Sequence, residues 1–278
     1  MPARNHGTNM SEQEQQTRAE EPAVLVQLSD LHLREAEEGP AQRLRQAVHA
    51  VAALKPYPRA VLLSGDLADE PSQAAYEQAR ELLDPLGIPL HAIPGNHDQR
   101  DLLRARFGPG PAPPGAPVRL AVNCGPLRLV GCDSTDPGSA SGALGAEQME
   151  WLRRTLAAEP YAPTLLALHH PPLPTGVRSM DSIALRAEDC DALENLLAGH
   201  PQVQTITCGH AHTTMITAFA GRPLLVCPST NSALRLDLRE QDDLPFAVAE
   251  QPVGFAVHAL IAGRLISHVQ PLDRRAAA

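Results

Sequence analysis

The chain has 278 residues, 43% hydrophobic but only 3% aromatic, which is enough apolar material for a core built mainly from Ala, Val, Leu and Ile. Its formal net charge of -9 argues against binding a nucleic-acid polymer, because sequence-independent binding needs a basic face. It contains no run of about 18 apolar residues, so no membrane span is expected.

Residues 1–22 are polar and lack the apolar stretch of a signal peptide; they are expected to be a disordered tail. A catalytic domain is expected over 23–235. A C-terminal extension over 236–278 follows, with 237–251 as a charged flap or interface segment. Within the domain, 24–28 reads as a strand covered on both faces, being nearly all apolar. A helix is predicted over 41–54, with Leu44, Ala47, Val48 and Val51 as its apolar stripe and Pro56 and Pro58 as its stop. Next come a strand at 60–63, a helix from Pro71-Ser72 to about Leu86, a strand at 90–93 and a short helix at 99–107. This alternation argues for parallel strands. After a loop rich in Pro and Gly at 108–117, strands are predicted at 118–123 and 127–132. A helix at 146–158, a strand at 164–168, a Pro-rich loop at 171–182, a helix at 188–198 and a strand at 203–207 complete the α/β part. Short strands at 213–219, 223–227, 255–261 and 264–269 end the chain, the last two as a hairpin turning at Ala262-Gly263.

Five of these strands run into clusters of metal-ligand residues. They are Ser29-Asp30-Leu31-His32, Ser64-Gly65-Asp66, Pro94-Gly95-Asn96-His97-Asp98, His169-His170 and Gly209-His210-Ala211-His212. In α/β folds ligands bind beyond the carboxyl ends of the strands, so five such endings point to one shared site. Asp30 and His32 are two apart, as are His210 and His212; in extended backbone such residues project to one side and face one ion. His169 and His170 are adjacent, so His169 is taken as the ligand and His170 as its support. A donor set of carboxylate, imidazole and amide oxygen, without thiolate, suits manganese, iron or zinc. Asp66 is the natural bridge, one ion on each carboxylate oxygen. Two dications held by two carboxylates leave the site positive and attractive to an anionic phosphoester.

The order Asp30-x-His32, Gly65-Asp66, Gly95-Asn96-His97-Asp98, His169 and Gly209-His210-x-His212 resembles the calcineurin-like metallophosphoesterases, over about residues 24–219. The stretch His169-His170-Pro171-Pro172-Leu173-Pro174 with Gly176 and Met180-Asp181 is similar to the bacterial class III branch of cyclic-nucleotide phosphodiesterases and glycerophosphodiesterases. The resemblance implies a four-layer α-β-β-α sandwich of two mixed sheets. It implies two divalent ions, manganese or iron first and zinc as the alternative. One would be held by Asp30, His32, Asp66 and His212, the other by Asp66, Asn96, His169 and His210. Catalysis would rest on His97, Asn96 and Asp66, and substrate contacts on Asn96, His97 and His212. His97 would contact the phosphoryl oxygens, stabilise the transition state or protonate the leaving group. The implied reaction is hydrolysis of a small phosphodiester by a metal-bridging hydroxide. 3',5'-Cyclic AMP is the first choice, glycerophosphodiesters the second and phosphomonoesters the third. A nuclease and a non-catalytic scaffold of the same fold are the rivals; the acidic balance speaks against one and the complete ligand set against the other.

Asp98 is expected to orient a site imidazole, and Arg34 to be a solvated loop charge. Ser229-Thr230-Asn231 reads as ordinary turn sequence. The cysteines, Cys124, Cys132, Cys190, Cys208 and Cys227, are scattered and odd in number, so reduced thiols and a cytoplasmic location are expected. A homodimer through the C-terminal strands and 237–251 is a further expectation.

Overall fold

The computed structural model describes residues 22–35, 37–239, 248–249 and 252–272. The tail expected at 1–22 therefore lies outside the described residues except for Pro22, as do 240–247 and 250–251 of the charged segment.

Strands with apolar residues on both faces must be covered on both faces, and the chain does this with two packed sheets. β1 (Ala23–Leu28) lies parallel to β2 (Ala60–Ser64), and β2 is parallel to β3 (Leu90–Ile93). Val24, Val26 and Leu28 face an outer layer made by α1 (Glu38–Ala52), α2 (Gln73–Leu83) and α3 (Arg100–Phe107). Ala23 and Leu25 face the other way, onto the second sheet. That alternation is the period of two of an extended chain. The helices begin and end close to expectation. α1 starts at Glu38 because Pro40 lies in its first turn, where a missing N–H is harmless. α2 stops at Leu83 and a 3-10 turn, Asp84–Leu86, carries Pro85 to Gly87, whose φ of 62° ends the segment.

The second sheet has the order β4 (Leu120–Cys124), β5 (Leu127–Gly131), β6 (Thr164–Ala167), β7 (Val203–Cys208), β9 (Arg222–Val226), β8 (Met215–Phe219). β5, β6, β7 and β9 are parallel; β4 and β8 are antiparallel at the two edges. α4 (Gly145–Ala158) and α6 (Ala187–Ala198) cover its outer face through Leu152, Leu156, Leu193 and Leu197. Between them the loop expected at 171–182 contains a single helical turn, α5 (Arg178–Asp181). Two-residue strands β10 (Ala233–Leu234) and β11 (Val248–Ala249) form a ribbon of their own.

The C-terminal strands complete the first sheet: β12 (Gly254–Ile261) pairs antiparallel with β1, and β13 (Arg264–Pro271) with β12. The result is a sandwich of two mixed sheets with helices outside each, order α-β-β-α. Its central layer, Leu25, Leu62, Ile93, Leu129, Leu165 and Leu260, is apolar. One polar device interrupts it. Gln27 donates its amide to Ser64 Oγ (2.8 Å) and to the Cys208 carbonyl (3.1 Å). Its Oε1 accepts from Thr207 Oγ1 (2.5 Å) and lies 3.0 Å from His258 Nε2. A buried amide with this many partners fixes one sheet against the other, because any slip would strand polar groups away from water. It does so at residues two or three places before Asp30, Asp66 and His210, which follow β1, β2 and β7. Among the described residues no helix is long and apolar enough to cross a membrane.

Candidate metal centre

The clusters after β1, β2, β3, β6 and β7 meet at one edge of the sandwich. Five of the expected ligands, Asp30, His32, Asp66, His210 and His212, have left-handed backbone, with φ between 43° and 70°. Non-glycine residues adopt this region at a cost of order 1–3 kcal/mol each, and such residues gather at functional sites. Extended geometry is therefore not what aims Asp30 with His32, or His210 with His212; each strand turns sharply at its end. Hydrogen bonds between neighbouring loops hold the turns: Asp30 N–H to Gly65 O (3.0 Å), His32 N–H to Asp66 O (2.9 Å) and Gly209 N–H to His169 O (3.0 Å). The Ser229 hydroxyl donates to the Asp30 carbonyl at 2.8 Å. The glycines are needed for space. A Cβ on Gly95 would stand 2.1 Å from Asp66 Oδ1, and one on Gly209 would stand 2.1 Å from Ser29 Oγ.

Three imidazoles have their Nδ1 engaged from behind, which leaves Nε2 to face the site. His32 Nδ1 meets Asp69 Oδ1 at 2.9 Å, His169 Nδ1 the Ser64 carbonyl at 2.8 Å, and His212 Nδ1 the Ser232 carbonyl at 3.0 Å. Backing of this kind fixes the tautomer and direction of a metal-binding imidazole. His32 Nε2 and His212 Nε2 are then 3.0 Å apart, and His212 Nε2 is 3.5 Å from Asp30 Oδ1. Asp66 lies between the two halves of the cluster. Its Oδ2 is 3.6 Å from His32 Nε2 and 3.4 Å from His169 Nε2. Its Oδ1 accepts the His97 N–H at 2.9 Å. The imidazoles of both sides thus converge on Oδ2, while Oδ1 is engaged by backbone.

Four buried donor atoms of the expected ligands have no hydrogen-bond partner, Asp30 Oδ2, Asn96 Oδ1, His169 Nε2 and His210 Nε2, and Ser29 Oγ in the same cluster has none either. A buried orphan costs about 1–3 kcal/mol, so four in one cluster mark groups built to meet something else. Two carboxylates, imidazoles and an amide oxygen fit hard or borderline dications. The electrostatics pair Asp66 with His169: against its burial, the Asp66 carboxylate pushes His169 up to about 9, and a bound cation would displace that proton. Burial opposes ionisation of Asp66, but the His169 imidazole above all, with His32 and His97, holds its carboxyl well below the usual range. Burial pushes His32 down, and burial with the neighbouring His170 pushes His210 well down, which keeps these nitrogens free of protons. Deprotonated imidazole is the form that binds metal.

His170 is brought to the cluster but has both nitrogens engaged, at 2.8 Å to Ser134 Oγ and 3.2 Å to the Ala140 carbonyl, and burial lowers it to about 3. It packs its ring against His210 (centroids 4.5 Å apart) and supports the pocket. Asp98 does not orient an imidazole. Its carboxylate accepts from Leu67 N–H (3.1 Å), Gly95 N–H (2.9 Å) and the Tyr76 hydroxyl (2.9 Å), tying together the loops that carry Asp66 and Asn96. The orienting carboxylate is Asp69, which the sequence reading passed over. Besides holding His32, its backbone carbonyl lies 2.9 Å from His97 Nδ1, so His97 also turns Nε2 toward the pocket. Only its position three residues after Asp66 could have pointed to it. Asn231, the last residue of the expected turn, and Ser232 just after it line the same pocket, as does Arg34, whose Nε donates to Asp69 Oδ2 at 2.9 Å.

Known proteins with this arrangement agree. The model of the calcineurin-like phosphoesterases matches residues 23–214. The chain is 36% identical over 228 residues to a probable cyclic nucleotide phosphodiesterase of Synechococcus sp., covering 80% of this chain and 84% of that protein. It is 30% identical over 238 residues to the probable glycerophosphodiester phosphodiesterase GpdQ of Arcobacter nitrofigilis, covering 82% and 86%. The crystal structure of a dimetal phosphatase from Danio rerio superposes with a TM-score of 0.64 at 16% identity, over 91% of this chain and 98% of that one, and shares the fold. With its two mixed sheets and its strand-end cluster of Asp, Asn and His, the chain belongs to the calcineurin-like phosphoesterase family.

Proposed function

We propose that the protein is a binuclear metal-dependent phosphodiesterase acting on small diesters, with 3',5'-cyclic AMP as first substrate. The observation that carries this reading is the position of Asp66 Oδ2, within 3.6 Å of His32 Nε2 on one side and 3.4 Å of His169 Nε2 on the other. Asp30, His32, Asp66 and His212 would hold one ion; Asp66, Asn96, His169 and His210 the other. Manganese or iron is the expected metal, with zinc as the alternative. When bound, the ions lower the pKa of water toward neutrality and neutralise charge growing on the phosphoryl oxygens.

The chain's own residues do the rest. Asp66 stays ionised and, through Oδ1, fixes the His97 backbone beside the site. His97 donates Nδ1–H to the Asp69 carbonyl and presents Nε2 to the pocket, where the doubly protonated ring would donate to a phosphoryl oxygen or to the departing alkoxide. Asn96 turns its amide oxygen inward and leaves its NH2 as a donor to the phosphoryl group. Arg34, at the pocket rim, adds positive potential to an otherwise acidic protein.

The glycerophosphodiester relative supports a second reading, glycerophosphodiesterase activity on the same site. Free cysteines, four of them buried, support a cytoplasmic setting. Among the described residues β13 is an edge strand of its sheet, which supports a homodimer, and a light-scattering mass of one chain would exclude it. Steady-state assays on purified, manganese-loaded protein test the substrate order. Cyclic AMP should be turned over faster than glycerophosphodiesters, phosphomonoesters or DNA. Turnover of glycerophosphodiesters far above cyclic AMP would replace the first choice by the second, and turnover of monoesters alone would end the diesterase reading.

A further inference from the structure

The pocket over the candidate metal centre encloses about 360 Å³ and has two unlike walls. One is polar: His32, Asp66, Asn96, His97, His210 and His212, with Arg34, Asp69, Asn231 and Ser232 also lining the pocket. The other is apolar: Met180, Ile183, Leu234 and Val248, with Ala140 beside them. Two pieces of regular structure build that second wall. Leu234 and Val248 are direct partners across the β10–β11 ribbon, so their side chains leave the same face. Met180 and Ile183 are three apart on and just after α5, so they also share a face. The α5 turn is fixed in advance. The Asp181 carboxylate accepts from Thr175 N–H (2.6 Å), Thr175 Oγ1 (2.8 Å) and Gly176 N–H (3.1 Å).

An apolar surface kept open opposite a polar cluster is costly unless something apolar covers it. Val248 is 72% exposed, though it faces a cavity of ligand size. Phosphate, glycerol and ethanolamine groups gain nothing from such a wall, whereas the flat face of a ring gains in proportion to the apolar area it removes from water. We propose that Met180, Ile183, Leu234 and Val248 form the specificity wall of the site, binding the flat, ring-bearing part of a diester while the polar wall takes its phosphoryl group. This rests on the diesterase reading above and adds to it the feature that selects among diesters.

The test compares wild type with Val248→Asn, at an exposed position that tolerates the change, and Ile183→Asn, at a half-buried one. Each is assayed as manganese-loaded protein on 3',5'-cyclic AMP and on glycerophosphoethanolamine, and inhibition constants are measured for AMP and for inorganic phosphate. The ratio of kcat/KM for cyclic AMP over glycerophosphoethanolamine should fall roughly tenfold in each variant, carried by KM, on the scale of one lost apolar contact in a pocket. AMP should inhibit wild type more strongly than phosphate does, and that advantage should shrink in step. An unchanged ratio in both variants overturns the wall while the diesterase reading stands. So does a wild type that hydrolyses diesters but binds AMP no better than phosphate. A wild type that hydrolyses neither diester overturns the diesterase reading and the wall together.

Discussion

The two walls of the pocket are held by opposite means. The polar wall is over-determined: left-handed turns, hydrogen bonds between loops, and imidazoles backed by Asp69, Ser64 and Ser232 fix Asp30, His32, Asp66, His169, His210 and His212, and the Gln27 amide ties the two sheets beneath them. The apolar wall rests on one helical turn and a ribbon of two-residue strands. Chemistry that needs fixed distances therefore sits on the rigid edge of the sandwich, and selection among substrates sits on short segments that can vary without disturbing it.

The sharpest way to break this comparison is to remove the donors of the polar wall. Asn96→Ala and His97→Ala should each lower kcat on any small diester by roughly 10²–10³, the cost of losing one positioned transition-state donor. Steady-state rates at wild-type level in both variants would mean that the reaction takes place elsewhere. A smaller effect is expected from the residue behind the wall. Asp69→Asn keeps the backbone carbonyl that meets His97 but replaces the charged partner of His32, and chelator competition should find metal affinity reduced about 10–100-fold. Equal affinity would show that His32 needs no such support.

The smallest effect concerns the strut between the sheets. Burial above all, with His268 nearby, lowers His258 to about 3 from 6.5. The folded state thus keeps this imidazole neutral while the unfolded chain protonates it below 6.5. Its contribution is intact above that value and is lost as pH falls toward 3, at up to about 1.4 kcal/mol per pH unit. Urea unfolding between about pH 7.5 and about pH 5.5 should cost wild type about 1.4 kcal/mol more than His258→Gln. Matching losses would remove His258 from the pH response.

The same contrast explains what could be read from the sequence. The polar wall was legible because its chemistry needs unusual residues at strand ends, and Asp30, His32, Asp66, Asn96, His97, His169, His210 and His212 all come together. Their backbone was not legible, since left-handed φ at Asp or His leaves no periodic mark. Asp69 escaped because one of its two roles is played by a carbonyl, which any residue has. Asp98 reads as the partner of an imidazole because it stands next to a site histidine, yet it serves backbone N–H groups and the Tyr76 hydroxyl. The apolar wall gave no signal. Met, Ile, Leu and Val are the commonest core residues, and a two-residue strand is too short to alternate. The antiparallel edges of the second sheet are local hairpins, but the place of β12 beside β1 depends on a pairing distant in sequence that periodicity does not encode.

The central claim is that Asp66 is shared between two cations. Elemental analysis of protein reconstituted with manganese and dialysed free of excess tests it most directly, with wild type and Asp66→Ala side by side. The account predicts about two ions per chain in wild type and loss of both sites' tight binding in the variant, since a buried bridging carboxylate serves each. One ion or none in wild type, or two retained in Asp66→Ala, would contradict it.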